Sequence, residues 1–588
     1  MFYLRFDNFN YLFNNIIFCF LCLDDELNLS DEMPSSESDE EDLESQKTLE
    51  EKDDAEWVWN WRTDQSPAPA FPIDSTNDGR PASLPANSKS WKPIDFFFTM
   101  FPRRIFQLAT EETNRYALQN EEKEQGHGNH KWKLVTEHDI YKFISIILVL
   151  GVLRVRNLQT LWAKTSPSIA RLPSVSHIMP EYRFREIKRY FHLNDNTKAA
   201  PSSSDLHDPL YKVRAVYQCL QERFRLHWKL GQFVSLDESM TAYKGRSSYK
   251  QYIRSKPIRW GFKFFCLADP MSGYFKEFLL YTGKTTVEEN YGLCTDVVLH
   301  LVGKSRLENT GTIVVADNYY TSPLLVALLA QQGIGFIGTC QLTRKHVPSH
   351  LLKFPGRPGA IVRGTYKSAV ANLRTVSQSL PDVPVYCLSW CDTRVANFLA
   401  TAGGLAPATV TRRSRSGAEE EIPAPMIVKT YTRTMGGVDR ADQNKSRYSI
   451  ASVLKTRKWW FRIFTGLLDM AVTNAWQLYL YTMTERSRLN HQQFIFEVCD
   501  GLLSSTTMLA PVADSVRNSP VGNHRLVKQD ILSRCVICSS KKSPARTIWM
   551  CGICQYAMCA DECFYEFHDS QFSINTNFRK RKKKEENS

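Results

Sequence analysis

No stretch of this 588-residue chain reaches about 18 consecutive uncharged apolar residues, the length a helix needs to cross a bilayer. The two most apolar segments, NYLFNNIIFCFLCL (10–23) and YKFISIILVLGVL (141–153), both fall short. The first also lacks a small-residue cleavage site and runs directly into acids, which argues against a secretory signal. The second reads as a buried helix. No internal repeat is present, so nothing marks a repeat array. An even studding of cysteine is missing too. Nine of the 15 cysteines are scattered, at 19, 22, 219, 266, 294, 340, 387, 391 and 499, and six crowd into 535–563. That distribution excludes a small secreted disulfide scaffold and points to metal ligands in a reducing compartment. Acid is absent from the stretch 244–263, where seven cations stand.

What is present fits a globular majority, with 43% hydrophobic and 12% aromatic residues. Charge is uneven. Residues 31–56 carry 13 acids and 2 lysines, so a chain of net charge +12 has +23 outside that segment. A basic body with an acidic tail suits a polyanionic partner, nucleic acid above all. Pattern divides the chain as follows. Residues 1–90 are acidic and then Pro/Ser/Asn-rich, an expected disordered region. Residues 91–230 show apolar residues at helical spacing. From 231 to 342 come short β-branched or aromatic runs, then strand–helix–strand, the signature of a mixed sheet covered by helices. Residues 343–425 are Pro-, Gly- and Arg-rich and interrupt that pattern like an insertion. Residues 426–500 return to helix, 501–522 form a linker, 523–568 hold the cysteine cluster and 569–588 a basic tail.

Two aspartates close apolar strands in this reading: Asp237 ends FVSLD and Asp317 ends TIVVAD. Each alone suits a cap or turn. Together they could face each other across neighbouring strands, and a third carboxylate from a helix would complete an oxygen cage suited to Mg²⁺. Two such ions can activate a water or 3′-hydroxyl and stabilise the leaving oxygen. The stretch YTRTMGGVDRADQNK (431–445) offers that helix, with Asp439 and Asp442 three apart on one face. Ordinary first-turn acids satisfying the helix dipole fit the same pattern. The acid-free segment places Lys244, Arg246, Lys250, Arg254, Lys256, Arg259 and Lys263 among Tyr249, Tyr252 and Trp260. Cations for phosphate and aromatics for stacking are what a DNA groove needs, while a solvated strand pair with core aromatics explains the tyrosines alone.

In the tail, Cys535-x2-Cys538 and Cys551-x2-Cys554 are followed by Cys559, Cys563 and His568, with His524 upstream. Paired CxxC motifs at this density indicate structural zinc. Eight ligands would saturate two tetrahedral Zn²⁺ ions, interleaved in so small a module and supplying much of its folding free energy. The run RKRKKK (579–584) suits a nuclear localisation signal or a DNA tail.

At SLDESMTAYKGR, SKPIRWGFKFF, VVADNYYTSPLL, IGFIGTCQLTRK and TMGGVDRADQ the sequence resembles the piggyBac transposase family. EETNRYA, MPEYRFREIKRYFHLND and DPLYKVR agree, so the resemblance runs from about residue 95 to 568. It implies an RNase H-like α/β core split by an insertion, a helical N-terminal domain for dimerisation and DNA binding, and a C-terminal zinc module that binds transposon-end DNA. By motif, Asp237, Asp317 and Asp439 match the family's Asp-Asp-Asp triad and Asp442 a further aspartate near the metal. KTRKWW places Trp459 beside the transposon end; Trp460 stands where the family has proline. The implied reaction is Mg²⁺-dependent cut-and-paste through hairpin ends, joining at TTAA, by a nuclear homodimer on double-stranded DNA. A domesticated DNA-binding protein of the same fold, without cleavage, is the second expectation. An unrelated zinc-dependent chromatin reader is the third.

Overall fold

The computed structural model describes residues 57–63, 67–74, 76–82, 84–120, 132–155, 157–163, 174–201, 203–254, 256–283, 286–355, 361–413, 417–505, 526–539, 545–551, 556–559 and 563. The acidic segment 31–56, the run 579–584, and His524, Cys554 and His568 lie outside these.

Five helices come first: α1 (Pro93–Met100), α2 (Arg103–Asn120), α3 (Glu137–Leu153), α4 (Glu181–Tyr190) and α5 (Arg214–His227). Helix α3 shows why these residues choose a helix. Thr136 and Asp139 form a reciprocal capping box at its start, and its long apolar run is buried nearly all round. Among the described residues no helix is long and apolar enough to cross a membrane.

Then comes the sheet. Strands β1 (Phe233–Ala242), β2 (Lys250–Tyr252), β3 (Trp260–Ala268) and β4 (Phe275–Leu280) are followed by α6 (Leu293–Ser305), β5 (Ile313–Ala316), α7 (Pro323–Gln331) and β6 (Gly335–Thr339). Strands β7 (Tyr366–Asn372), β8 (Pro384–Cys391) and β9 (Val395–Ala400) follow, and a separate hairpin is made by β10 (Pro407–Arg413) and β11 (Glu419–Pro425). The nine-stranded sheet has the order β2-β3-β1-β5-β6-β9-β8-β7, with β4 also pairing β3. Only β1–β5 and β5–β6 are parallel. The others are antiparallel, so the sheet is mixed. The stretch 343–425, expected to interrupt the pattern, instead widens the sheet by three strands beyond β6, and only the hairpin stands off it. PVYCLSW, which reads as a short strand in the sequence, is one, buried from end to end in β8; what the Gly and Pro content hid is that it belongs to the main sheet.

Helices α8 (Met426–Thr434), α9 (Gly437–Arg447), α10 (Trp459–Thr482) and α11 (His491–Ser504) complete the body. One face of the sheet is covered by α6 and α7. The other meets α9 and α10, and α10 and α11 share a single core with α1 to α5. The first helices and the last thus form one packed body across the chain. Near the end, β12 (Leu526–Arg534) and β13 (Arg546–Cys551) pair as a small hairpin.

Candidate functional site: a carboxylate cluster and a thiol cluster

Strand side chains alternate between faces, so Ser235, Asp237 and Ser239 of β1 share one face while Val234, Leu236 and Glu238 share the other. Asp237 does not close its strand, as the sequence reading expected; β1 runs on through it to Ala242. The parallel neighbour β5 is what ends. Leu236 is level with Ala316, so the next positions, Asp237 and Asp317, are neighbours in register just where β5 stops. Adjacent strands lie about 4.8 Å apart, which brings the two carboxylates to one rim.

Helix α9 carries the other two aspartates and is stitched to the same face of β1. At its start the Gly437 amide donates to Ser235 Oγ at 3.1 Å, and Ser235 donates to the Thr434 carbonyl at 2.5 Å. A Cβ at Gly437 would stand 2.5 Å from Ser235 Oγ, so only glycine lets the helix approach this closely. One turn on, Ser239 Oγ donates to Asp442 Oδ1 at 2.6 Å. Lys445 pairs with Asp442 at 2.8 Å and donates to Ser239 Oγ at 2.5 Å and to the Met240 carbonyl at 3.2 Å. The helix therefore runs alongside β1, Gly437 by Ser235 and Asp442 by Ser239; Asp439, in its first turn, is exposed, and its charge acts on Lys256 and Tyr431. Asp442 is already engaged by a hydroxyl and an ammonium. The half-buried Tyr431 phenol of α8 faces these charges: burial, and then Asp317, Asp237 and Asp439 against a Thr339 hydrogen bond, push it up to about 12.

The site is short of positive charge. Lys256 Nζ donates to Asp237 Oδ1 at 3.0 Å and to the Glu238 carbonyl at 3.1 Å, and lies 3.9 Å from Glu238 Oε2. Lys263 reaches Glu238 Oε1 at 3.5 Å, and Tyr320 donates to the same oxygen at 2.6 Å. Burial nonetheless holds the Asp237 carboxyl above the usual range, Lys256 opposing and Glu238 adding to it. Glu238 moves the other way, because Lys263 and its other partners outweigh burial. Asp317 is raised by burial and then by the Glu238 charge. Glu238 was not foreseen from the sequence. Its signal was an acid at a position of β1 whose strand neighbours on that face, Leu236 and Met240, are apolar.

The seven cations of 244–263 divide. Lys256 and Lys263 turn inward onto carboxylates. Lys244, Arg246, Arg254 and Arg259 are exposed. Half-buried Lys250 sets its ammonium 4.8 Å from the Trp260 ring centre. Trp260 and Tyr252 are 44% and 38% exposed with ring centres 4.7 Å apart, an aromatic pair open to solvent beside those cations. Trp459, at the first turn of α10, is half-buried edge-on to Tyr249 at 5.6 Å, whereas Trp460 is buried against Phe191 and His192.

In the tail, Cys535, Cys538, Cys559 and Cys563 bring their sulfurs within 4.8 Å of one another. The small hairpin holds them: Cys535 follows β12, its amide bonded to the Ala545 carbonyl at 3.0 Å, and the Val536 amide reaches Ala557 at 3.0 Å. Four thiols are the donor set of structural zinc, and this cluster could hold one ion. Cys551 is buried at the end of β13 and stands outside that group.

The family model described as Transposase IS4 matches residues 92–476, which takes in the whole sheet and stops short of the thiol cluster. The class is thus that of the transposases. Within it, the chain belongs to the piggyBac transposase family. Human PiggyBac transposable element-derived protein 2 is 26% identical over 496 residues, 82% of this chain and 77% of that protein. Human PiggyBac transposable element-derived protein 3 is 27% identical over 501 residues, 81% of this chain and 78% of that protein. Among solved structures, the cryo-EM structure of a piggyBac transposase synaptic complex with hairpin DNA is similar in fold, with a TM-score of 0.58 at 19% identity, covering 79% of this chain and 90% of that one.

Proposed function

We propose that this protein is a metal-dependent DNA transposase of piggyBac type, with Asp237, Asp317 and Asp439 as its catalytic carboxylates. One observation carries the reading: two aspartates adjacent in a parallel register, and a helix stitched by Ser235 and Ser239 to the same strand that carries the third in its first turn. An RNase H-like core is supported by the sub-order β4-β3-β1-β5-β6, three antiparallel strands followed by two parallel ones.

The residues fit Mg²⁺. The donors are all carboxylate oxygens, and burial without enough positive charge keeps Asp237 and Asp317 above the ordinary carboxylate range, a deficit a divalent cation would fill. Asp237, Asp317 and Asp439 would hold two such ions, with Asp442 fixing the helix through Ser239 and Lys445. When bound, the metal supplies an activated water or 3′-hydroxyl and a counter-charge to the leaving oxygen. The chain does the rest. β1 and β5 fix the spacing of two carboxylates, and α9 sets the third. Exposed Lys244, Arg246, Arg254 and Arg259, with Lys250, take backbone phosphates of double-stranded DNA. Trp260 and Tyr252 offer faces to bases, and Trp459 is assigned to the transposon end by the family reading alone.

Excision through hairpin ends, joining at TTAA, homodimerisation and a nuclear site of action follow from the family reading. A second Zn²⁺ on Cys551, Cys554, His568 and His524 belongs to the same proposal, as do the assignments of 91–230 to dimerisation and DNA binding and of 523–568 to transposon ends. The test is an excision and strand-transfer assay with Mg²⁺ on the element's own ends. Activity in the wild type that is lost in Asp317→Asn supports the reading; equal activity in both removes the metal site. The second reading, a DNA-binding protein without cleavage, is favoured by the names of the human relatives as transposable element-derived proteins. It predicts DNA binding and no cleavage in either form.

A further inference from the structure

Lys256 occupies a place unlike the other six cations of its segment. It sits between β2 and β3 and reaches back into the carboxylate cluster with 21% of its side chain exposed. Its ammonium contacts Asp237 Oδ1, the Glu238 carbonyl and Glu238 Oε2, and Asp439 adds its charge. Four acids (Asp237, Glu238, Asp317 and Asp439) stand here against two ammoniums, those of Lys256 and Lys263. Lys263 is committed elsewhere, on Glu238 and 4.6 Å from the ring centres of Phe265 and Tyr319. Of these two ammoniums, Lys256 is the one that contacts a proposed metal ligand. An ammonium and a divalent ion on the same Asp237 carboxylate compete, because like charges a few ångströms apart in a part-buried site repel each other.

We propose that Lys256 is the internal counter-cation of the carboxylate cluster: it holds the acids together while no metal is bound, and a divalent ion at Asp237 displaces it. This rests on the metal reading above and adds to it a competition. The displaced ammonium swings toward the side where Arg254 and Arg259 are exposed and becomes a further cation for a substrate phosphate. Metal loading and phosphate capture are coupled through one side chain.

The experiment uses the full chain without DNA. Amine acylation followed by mass spectrometry compares Lys256 and Lys263 with and without Mg²⁺ or Mn²⁺. Lys256 is expected to label several-fold faster with metal and Lys263 to stay unchanged. Calorimetric titration of Lys256→Gln is expected to show metal binding tightened by about tenfold or more, the repulsion having been removed, together with a lower metal-free melting temperature. Lys256→Arg, which keeps the charge, should bind metal no tighter than wild type. If metal binds wild type but not Asp317→Asn, and neither Lys256 labelling nor Lys256→Gln affinity responds, the counter-cation role is wrong and the metal site stands. If wild type binds neither metal, the metal reading falls and this inference with it.

Discussion

The carboxylate cluster and the thiol cluster are built by opposite strategies. The thiols come from 29 consecutive positions, 535–563, and need only a hairpin to close on one another. The carboxylates come from positions 237, 317 and 439: a parallel register makes the first two neighbours, and a helix docked on the same strand carries the third. A local site is specified by spacing and depends on its metal for stability. A remote site is specified by the whole sheet and persists without it. The acids are costly to bury, and the body absorbs that cost with Lys256, Lys263, Lys445 and the hydroxyls of Ser239 and Tyr320.

Perturbing each region separates the two. Zinc removal should have the largest effect. Structural zinc contributes on the order of 10–16 kcal/mol to small modules, so chelation or Cys535→Ser should abolish hydrogen-exchange protection in β12 and β13 while the melting of the sheet body is unchanged. Retained protection would show that the thiols hold no metal.

Asp317→Asn should lower strand cleavage by about a thousandfold or more. It should also alter how the metal-free protein responds to pH. Because the Asp317 carboxyl is raised by burial, the folded form keeps a proton that the unfolded form releases. That stability is present below the ordinary carboxylate pKa and is lost as pH rises through the raised one. Urea midpoints across the carboxylate range should show a shallower loss in Asp317→Asn.

Gly437→Ala should cost about 1–3 kcal/mol by overpacking against Ser235. Cleavage should fall further than stability, since misplacing a reacting group by about 1 Å costs about a hundredfold. Thermal melts beside cleavage rates read the difference, and equal losses would disconnect α9 from the chemistry. Ser239→Ala, which removes a partner of Asp442 and Lys445, should cost about 1–2 kcal/mol in a chemical melt. Trp260→Ala, at an exposed ring, should leave stability within about 0.5 kcal/mol but weaken DNA binding by about 1–3 kcal/mol for a lost stack. Unchanged affinity in a fluorescence titration would make the aromatic pair incidental.

Parts of this architecture were legible along the chain. The apolar run of α3, the Pro and Gly that bracket α7, and the buried strand TIVV carry local signals of period and punctuation. The CxxC spacing carries its own chemistry. Other features were not legible. Asp237 looked like a strand end because residues 238–242 are mostly polar, yet β3 pairs with β1 along that whole length. Seven cations looked alike, and packing turned two of them onto acids. Strands β7 to β9 looked like an interruption because their connections are rich in Gly and Pro. The union of α10 and α11 with α1 to α5 leaves no mark in either segment, since contacts between distant segments have no period of their own.

By itself the sequence determined the types of chemistry available: oxygen donors on apolar strands, paired thiols, a basic segment interleaved with aromatics, and enough family likeness to name the class. Spacing and polarity are local properties, and a chain states them directly. The tertiary structure alone decided which two acids share a strand register, which serines stitch α9 to β1, and which lysine stands against Asp237. Those depend on strand register and on the close approach of helix to sheet, where one missing Cβ at Gly437 sets a position that no window of sequence contains.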